Sequence, residues 1–185
     1  MKNYLVGDKV KLVKFCDRYI TPEYLNWLND HEVNRYLNNG RIPIIRESIL
    51  SNNDNKNIMF AILSNVGVDG EENLWQDKEY KYYIGICSLH EVDWINRKCE
   101  MGYVIGNKKY WGVGIATEVV KLLTEYGFDR LNFNKITACA VEENIASLKI
   151  LSKNGFKQYA VDEQDYYLEG KYHNTIRFYN LVEWR

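Results

Sequence analysis

Residues 103–118 read YVIGNKKYWGVGIATE, and this stretch decides the fold. Tyr103-Val104-Ile105 closes an apolar, strand-like run, and Gly112-Val113-Gly114 is a short loop with two close glycines. From Ile115 onward, Ile115, Val119, Leu122, Leu123 and Tyr126 recur at helical spacing, with Glu118, Lys121, Thr124 and Glu125 between them. The stretch therefore predicts a strand, a glycine loop and an amphipathic helix of about four turns. The first turn of a helix offers N–H groups without intrahelical partners, at the positive end of the helix dipole. Glycines let the backbone approach a ligand closely and take dihedrals that other residues avoid. Together they make an anion site suited to phosphate. A bare GxG often does no more than start a helix, so its surroundings decide.

Outward from the loop the periodicity alternates. Towards the C-terminus, Lys135–Val141 (KITACAV) reads as a buried strand and Asn144–Lys153 as a helix stopped by Asn154-Gly155. Phe156–Val161 reads as a strand, Glu169-Gly170-Lys171 as a turn and Tyr172–Val182 as the last strand. Towards the N-terminus, strands are expected at Lys98–Ile105, Tyr80–Leu89 and Ile58–Ser64, joined by a turn at Asp93–Arg97 and a polar loop at Asn65–Lys78. Asn52–Asn57 is a polar run read as loop. Lys9–Phe15 alternates polar and apolar as a half-buried strand does. Thr21-Pro22-Glu23 opens a helix whose apolar face is Tyr24, Leu25, Trp27 and Leu28. Short helical pieces are expected at Glu32–Leu37 and Glu47–Leu50. The order β, helices, βββ, α, β, α, ββ predicts an α+β fold with a mixed central sheet of about seven strands.

Composition narrows the function classes. The chain has 185 residues, 46% hydrophobic and 26% charged, and its 24 Lys+Arg against 25 Asp+Glu leave a formal net charge of −1. That length fits one domain over residues 1–185, needing no disulfide or metal to hold it. Near-neutral charge argues against a nucleic-acid binder. Cys16, Cys87, Cys99 and Cys139 are far apart in sequence and show no zinc or redox spacing, so buried free thiols in a reducing compartment are expected. The opening MKNYLVGDKV has no apolar h-region, and no run approaches the ~20 apolar residues of a membrane span. A soluble cytoplasmic protein, with no membrane or nucleic-acid partner, is expected.

The surroundings of the loop carry a resemblance. Lys109-x-x-Gly112-x-Gly114, followed by Ala116-Thr117-Glu118, resembles the acetyl-CoA pyrophosphate loop of the GNAT acetyltransferase superfamily, Arg/Gln-x-x-Gly-x-Gly/Ala, with Lys109 at the position of the Arg/Gln. It is not a Walker loop, which needs Gly-Lys-Ser/Thr at its end, and it lacks the third glycine of a dinucleotide fingerprint. Asn144-x-x-Ser147, ending in Lys153-Asn154-Gly155-Phe156, is similar to the GNAT segment Asn-x-x-Ser/Ala…Glu-Lys-x-Gly-Phe. Glu100-Met101-Gly102-Tyr103, the run from Trp27 to Leu37, and Gly170-Lys171-Tyr172 resemble the branch that includes the ribosomal-protein alanine and serine acetyltransferases.

The resemblance implies a sheet splayed between its fourth and fifth strands, here residues 99–105 and 135–141, with the pantetheine arm of acetyl-CoA in the gap. Val104 and Ile105 would pair with that arm through their backbone. Lys109 would head the loop, and the N–H groups of Tyr110, Trp111, Gly112, Val113, Gly114, Ile115 and Ala116 would hold the diphosphate. Asn144 would contact the pantetheine. The implied activity is acetyl transfer from acetyl-CoA to a primary amine, without a metal. Such an amine has a pKa of ~10.4 and must lose its proton to attack. Glu100 is the first candidate for the base. Many GNAT enzymes protonate the leaving thiolate with a tyrosine that would fall at Leu151, where leucine has no proton to give. Ser147 is the nearest polar alternative, with Tyr103 and Tyr110 behind it. The acceptor site would draw on residues 21–57 and 160–175, with Trp27, Tyr36 and Trp94 as possible walls or as plain core. His31, His90 and His173 are isolated in sequence and are given no role. A small-molecule amine is preferred over a protein N-terminus, and a monomer or homodimer is expected. The rival reading is a non-catalytic acyl-CoA-binding module.

Overall fold

The structure, a computed structural model, describes residues 4–38, 40–51, 57–67 and 82–182. Its strands are β1 (Tyr4–Val6), β2 (Val10–Lys14), β3 (Ile58–Ser64), β4 (Tyr82–Asp93), β5 (Lys98–Ile105), β6 (Lys135–Val141), β7 (Lys157–Leu168) and β8 (Lys171–Leu181). The helices are α1 (Pro22–Asn29), α2 (His31–Asn34), α3 (Arg46–Ser51), α4 (Ile115–Glu125) and α5 (Ile145–Lys153). The strands form one sheet in the order β1-β2-β3-β4-β5-β6-β8-β7, antiparallel except where β5 meets β6.

The α+β class and the mixed central sheet are as expected, with two corrections. The sheet has eight strands, because Tyr4–Val6 pairs with β2 through a turn in which the Gly7 N–H donates to Val10 O at 2.8 Å. Three residues are too few to show a period of two in sequence. This edge strand also moves the splay one place along, to between β5 and β6. Of the expected loop Asn65–Lys78, residues 68–78 lie outside the described residues, as do residues 52–56 of the polar run.

Helix α1 starts as its sequence dictates: Thr21 Oγ1 accepts from the Tyr24 N–H at 3.1 Å and Pro22 takes the first position. The apolar stripe of α4, Ile115, Val119, Val120 and Leu123, is buried against Val10, Leu12, Ile62, Ile84, Leu89, Met101 and Ile136 of the sheet. Each such fully buried aliphatic is worth roughly 1.5–3 kcal/mol. The helix ends in a π turn at Tyr126–Arg130. Helix α5 adds Leu151 to the same core. The opposite face of the sheet packs Val13, Ala61, Leu63 and Tyr83 against Tyr24 and Leu28 of α1.

One irregularity sits beside the splay. The β3–β4 register shifts between Ile62 and Leu63. As a result Ile84 packs on the α4 side while Ile86 packs on the α1 side, although both have the same parity. A bulge here re-aims the strand next to the opening. β5 keeps its alternation: Cys99, Met101, Tyr103 and Ile105 lie on the α4 side, which leaves Glu100, Gly102 and Val104 on the α1 side. At the other edge, β7 is far longer than the expected Phe156–Val161. Irregularities at Gln158/Ala160 and Asp162/Tyr166 break its period, and it turns into β8 at Glu169 (φ 48) and Gly170 (φ 86).

Candidate active site

The parallel pairing of β5 with β6 is confined to Lys98–Glu100 against Lys135–Thr137. β5 then continues to Ile105 and β6 to Val141, where β6 is paired along its length with β8. The two strands part, and a gap opens in the sheet. The Cys99 carbonyl accepts from Thr137 Oγ1 on β6 at 3.1 Å. By ladder alternation the backbone groups of Tyr103 and Ile105 are therefore directed towards the gap. Val104 is not: its carbonyl lies against Gly85 of β4, which a Cβ there would strike. The expectation that Val104 lines the gap through its backbone is therefore corrected, and Tyr103 takes its place. The Ile105 carbonyl accepts from Trp111 Nε1 at 2.7 Å.

Beyond β5 the glycine loop follows. The Tyr110 side chain, 1% exposed, anchors its start in the core, and Asn107 Oδ1 accepts from the Lys109 N–H at 3.1 Å. Gly112 (φ 76) and Gly114 (φ 85) are both left-handed, a conformation that glycine takes without penalty. A Cβ on Gly112 would meet nothing within 4 Å, so the loop faces open space. The first intrahelical bond runs from the Glu118 N–H to the Gly114 carbonyl, at 3.3 Å. The N–H groups of Ile115, Ala116 and Thr117 precede it and have no helical partner. An anion fits this cradle. Lys109 is exposed at the head of the loop. Its neighbour Lys108 is bound to Asp30 Oδ2 (3.0 Å) and Glu32 Oε2 (2.8 Å), tying the loop to the α1–α2 junction. This pairing holds the Lys108 ammonium above its ordinary range and the Asp30 carboxyl below.

On the other bank of the gap, Asn144 caps α5, its Oδ1 accepting from the Ser147 N–H at 3.2 Å. The Tyr103 hydroxyl donates to Ser147 Oγ at 3.1 Å, so the gap is bridged by a tyrosine–serine pair. Burial raises the Tyr103 phenol above its ordinary range, partly offset by this bond. Leu151 is 2% exposed and belongs to the core.

Glu100, the expected base, lies at the fork on the α1 side and is not alone. His90 Nε2 stands 3.9 Å from its Oε1, and Arg177 Nη1 stands 3.9 Å from its Oε2. The Cys139 thiol donates to Oε1 at 3.4 Å. Arg177 in turn is bonded through Nε to Asp162 Oδ2. Burial, then the charge of Glu100, push the Cys139 thiol up to about 12. None of His90, Cys139, Asp162 or Arg177 is singled out by the sequence. His90 could have been found from the β4–β5 hairpin register, which sets it opposite Glu100. Arg177 and Asp162 arrive on strands that no local pattern places beside β5.

The two segments expected to form the acceptor side meet each other. Tyr166 Oη donates to the Arg35 (2.9 Å) and Leu37 (3.2 Å) carbonyls, and Arg35 pairs with Glu169 at 3.2 Å. Arg41 bonds the Tyr167 carbonyl. Tyr36 packs on Val141, Tyr166 and Leu168, close to the gap. Trp27 covers Gly106 and stands 5.2 Å from the Tyr83 ring as core. Trp94 is excluded as a wall: it is 54% exposed on the β4–β5 turn, against Phe133, at the end of the sheet away from the gap. A cavity of about 420 Å³ between Phe128, Gly155 and Val182 lies beyond the C-terminal end of α5, away from this chemistry. Among the described residues no group of His, Cys, Asp or Glu is arranged to hold a metal ion, and no helix is long and apolar enough to cross a membrane.

Comparison with known proteins follows the same lines. A family model described as an acetyltransferase (GNAT) domain matches residues 10–157. An uncharacterised N-acetyltransferase of Bacillus licheniformis is 34% identical over 102 residues, 54% of this chain and 57% of that protein. The spermidine N(1)-acetyltransferase of Escherichia coli is 32% identical over 93 residues, 50% of each chain. This chain thus spans about half the length of the curated relatives it matches. The crystal structure of spermidine N-acetyltransferase from Vibrio cholerae, in complex with CoA and spermine, superposes with a TM-score of 0.76 at 22% identity, over 95% of this chain and 96% of that one. A ribosomal alpha-N-protein acetyltransferase in complex with coenzyme A gives a TM-score of 0.76 at 16% identity, over 97% and 98%. At such identities the likeness is one of fold.

Proposed function

The chain belongs to the GNAT acetyltransferase family, and from that premise we propose that it moves an acetyl group from acetyl-CoA to a primary amine. The observation that carries the reading is the end of the β5–β6 ladder at Glu100 and Thr137. It opens a gap bordered by the glycine loop, the capped start of α5 and a carboxylate. In this reading the diphosphate lies on the N–H groups from Gly112 to Ala116, with Lys109 beside it; those of Tyr110 and Trp111, expected to share the task, already donate to the Asn107 (3.0 Å) and Lys108 (3.1 Å) carbonyls. The pantetheine runs along the backbone of Tyr103 and Ile105 and past Asn144.

Glu100 takes the proton of the incoming ammonium, directly or through water, and the neutral amine attacks the thioester carbonyl. The Ile105 N–H polarises that carbonyl as an oxyanion-hole donor does. As the C–S bond breaks, the thiolate takes a proton from Ser147 Oγ, which the Tyr103 hydroxyl backs at 3.1 Å, and the second proton of the attacking nitrogen passes through water to restore the Ser147 hydroxyl. Within the acceptor class we place a small-molecule amine first and a protein N-terminus second. Of Glu23, Asp30 and Glu32, the carboxylates that the first helices could have offered a polycation, the last two are bound by Lys108. The same reading makes residues 1–185 one catalytic domain, a monomer or homodimer working in the cytoplasm without nucleic acid.

An amine panel with thiol-release detection tests this. Thiol and N-acetyl product should appear in equal amounts with at least one primary amine. Leu151, at the position of the expected tyrosine, favours one rival, a non-catalytic acyl-CoA-binding module. That rival predicts acetyl-CoA binding with no amine-dependent thiol release across the panel.

A further inference from the structure

Glu118 follows the glycine loop in the sequence motif, yet the proposed chemistry makes no use of it. Its carboxylate leaves α4 and accepts from the backbone N–H groups of Asp8 (2.5 Å) and Lys9 (2.9 Å), in the turn between β1 and β2. Gly7 permits the approach, since a Cβ there would lie 2.5 Å from Glu118 Oε1. The same turn sends a side chain back. The Lys9 ammonium donates to the Val113 carbonyl at 2.8 Å and stands 3.4 Å from the point a Cβ on Gly114 would occupy. A turn more than 100 positions upstream is thus fastened to the middle of the glycine loop and to the first turn of the helix behind it.

The loop needs such support. Trp111, Gly112, Val113 and Gly114 are all exposed. The two glycines lose more conformational freedom than any other residue when fixed. A loop already held in its binding conformation spares the ligand that ordering cost. An ammonium beside the unpaired N–H groups of α4 also adds to the positive potential there.

We propose that the β1–β2 turn is part of the cofactor site. Lys9 and Glu118 are positioning residues that hold the Gly112–Gly114 loop ready for a diphosphate, and Lys9 keeps a cation beside it. This rests on the acetyl-CoA reading above. The effect is confined to the phosphate end, because the thioester is placed in the gap, away from the turn.

The test compares two donors: acetyl-CoA, and S-acetyl-pantetheine, which has the same thioester and arm without the diphosphate. Lys9→Met removes one charge-assisted hydrogen bond, so KM for acetyl-CoA should rise about tenfold with kcat within about twofold. The kcat/KM ratio of acetyl-CoA over acetyl-pantetheine should fall by the same factor. Lys9→Arg should restore most of it. Glu118→Gln should shift the ratio in the same direction, because the turn that presents Lys9 loosens. An unchanged ratio in Lys9→Met, with wild-type turnover of acetyl-CoA intact, overturns this proposal alone. An equal loss with both donors also overturns it, since that marks a general effect on the fold. A wild-type chain that neither binds acetyl-CoA in titration calorimetry nor turns it over overturns the acetyl-CoA reading together with it; in a chain that binds without turnover, Lys9→Met should raise Kd for acetyl-CoA about tenfold, and an unchanged Kd overturns the proposal.

Discussion

Glu100 shows what one residue owes to its neighbours. As a strand carboxylate it could have been a surface ion pair. The structure sets it at the fork of the sheet with His90, Cys139 and Arg177 around it. Glu100→Gln keeps the shape and removes the charge. If Glu100 is the base, the rate with a saturating amine falls by roughly 10²–10⁴-fold, the usual scale of general-base catalysis. The limb of the pH–rate profile set by the base goes with it, while affinity for acetyl-CoA changes little. A fall below about fivefold with the profile intact would assign the proton to water or a relay, and Glu100 to the ion-pair row it shares with Arg177. The candidacy of Glu100 was legible in the sequence, because alternation sets it opposite Met101 and Tyr103. Of its three partners only His90 lies on the neighbouring hairpin strand; Cys139 and Arg177 come from strands distant in sequence, which no local pattern brings to it. Ser147 was legible through its spacing from Asn144, whereas its hydrogen bond to Tyr103 depends on how α5 lies across the gap.

At the scale of the element, the loop and α4 act as one unit. Gly112 and Gly114 are left-handed, and the direction of a Gly112 side chain is open. Gly112→Glu would put an anion into the space a diphosphate needs. Like charges brought together cost several kcal/mol, so acetyl-CoA affinity should drop by roughly a hundredfold or more. Gly112→Ala shares the strain of the positive φ, about 1–2 kcal/mol, without the charge, and separates the two effects. Titration calorimetry on both variants checks this. Equal affinities for the Glu and Ala variants would mean that no phosphate lies against Gly112. Elements with a local signature were read well: Thr21-Pro22 at the start of α1, the apolar stripe of α4, and Asn154-Gly155 at the end of α5. Local pattern missed β1 altogether and cut β7 short at Val161, because the irregularities at Gln158/Ala160 and Asp162/Tyr166 break its period of two.

For the whole molecule, a ligand that binds only the folded chain stabilises it by mass action. Acetyl-CoA at ~100 times its dissociation constant should add about 2.7 kcal/mol. For a chain of this size that raises Tm by roughly 5–10 °C. A thermal melt with and without millimolar acetyl-CoA reads the shift directly, and its absence would remove acetyl-CoA from the account. The predicted shift comes from the whole fold, because the proposed ligand touches β5, the loop before α4 and the start of α5, which only the assembled sheet brings together.

The sequence by itself determined the α+β class, the order of its elements from β2 onward and the glycine loop at the start of α4, and it named Glu100, Ser147 and Asn144 as candidates. Each of these is written in neighbouring residues: a period of two or of 3.6, a cap, a glycine pair. Tertiary structure alone decided that the first strand is Tyr4–Val6, that the backbone of Tyr103 rather than Val104 faces the gap, and that Lys9 and Glu118 brace the loop. It also decided that His90 and Arg177 flank Glu100. These are contacts between segments far apart in the chain. They are fixed by strand register, by the point where β5 parts from β6 and by the packing of helices on two faces, and no local pattern of side chains encodes them.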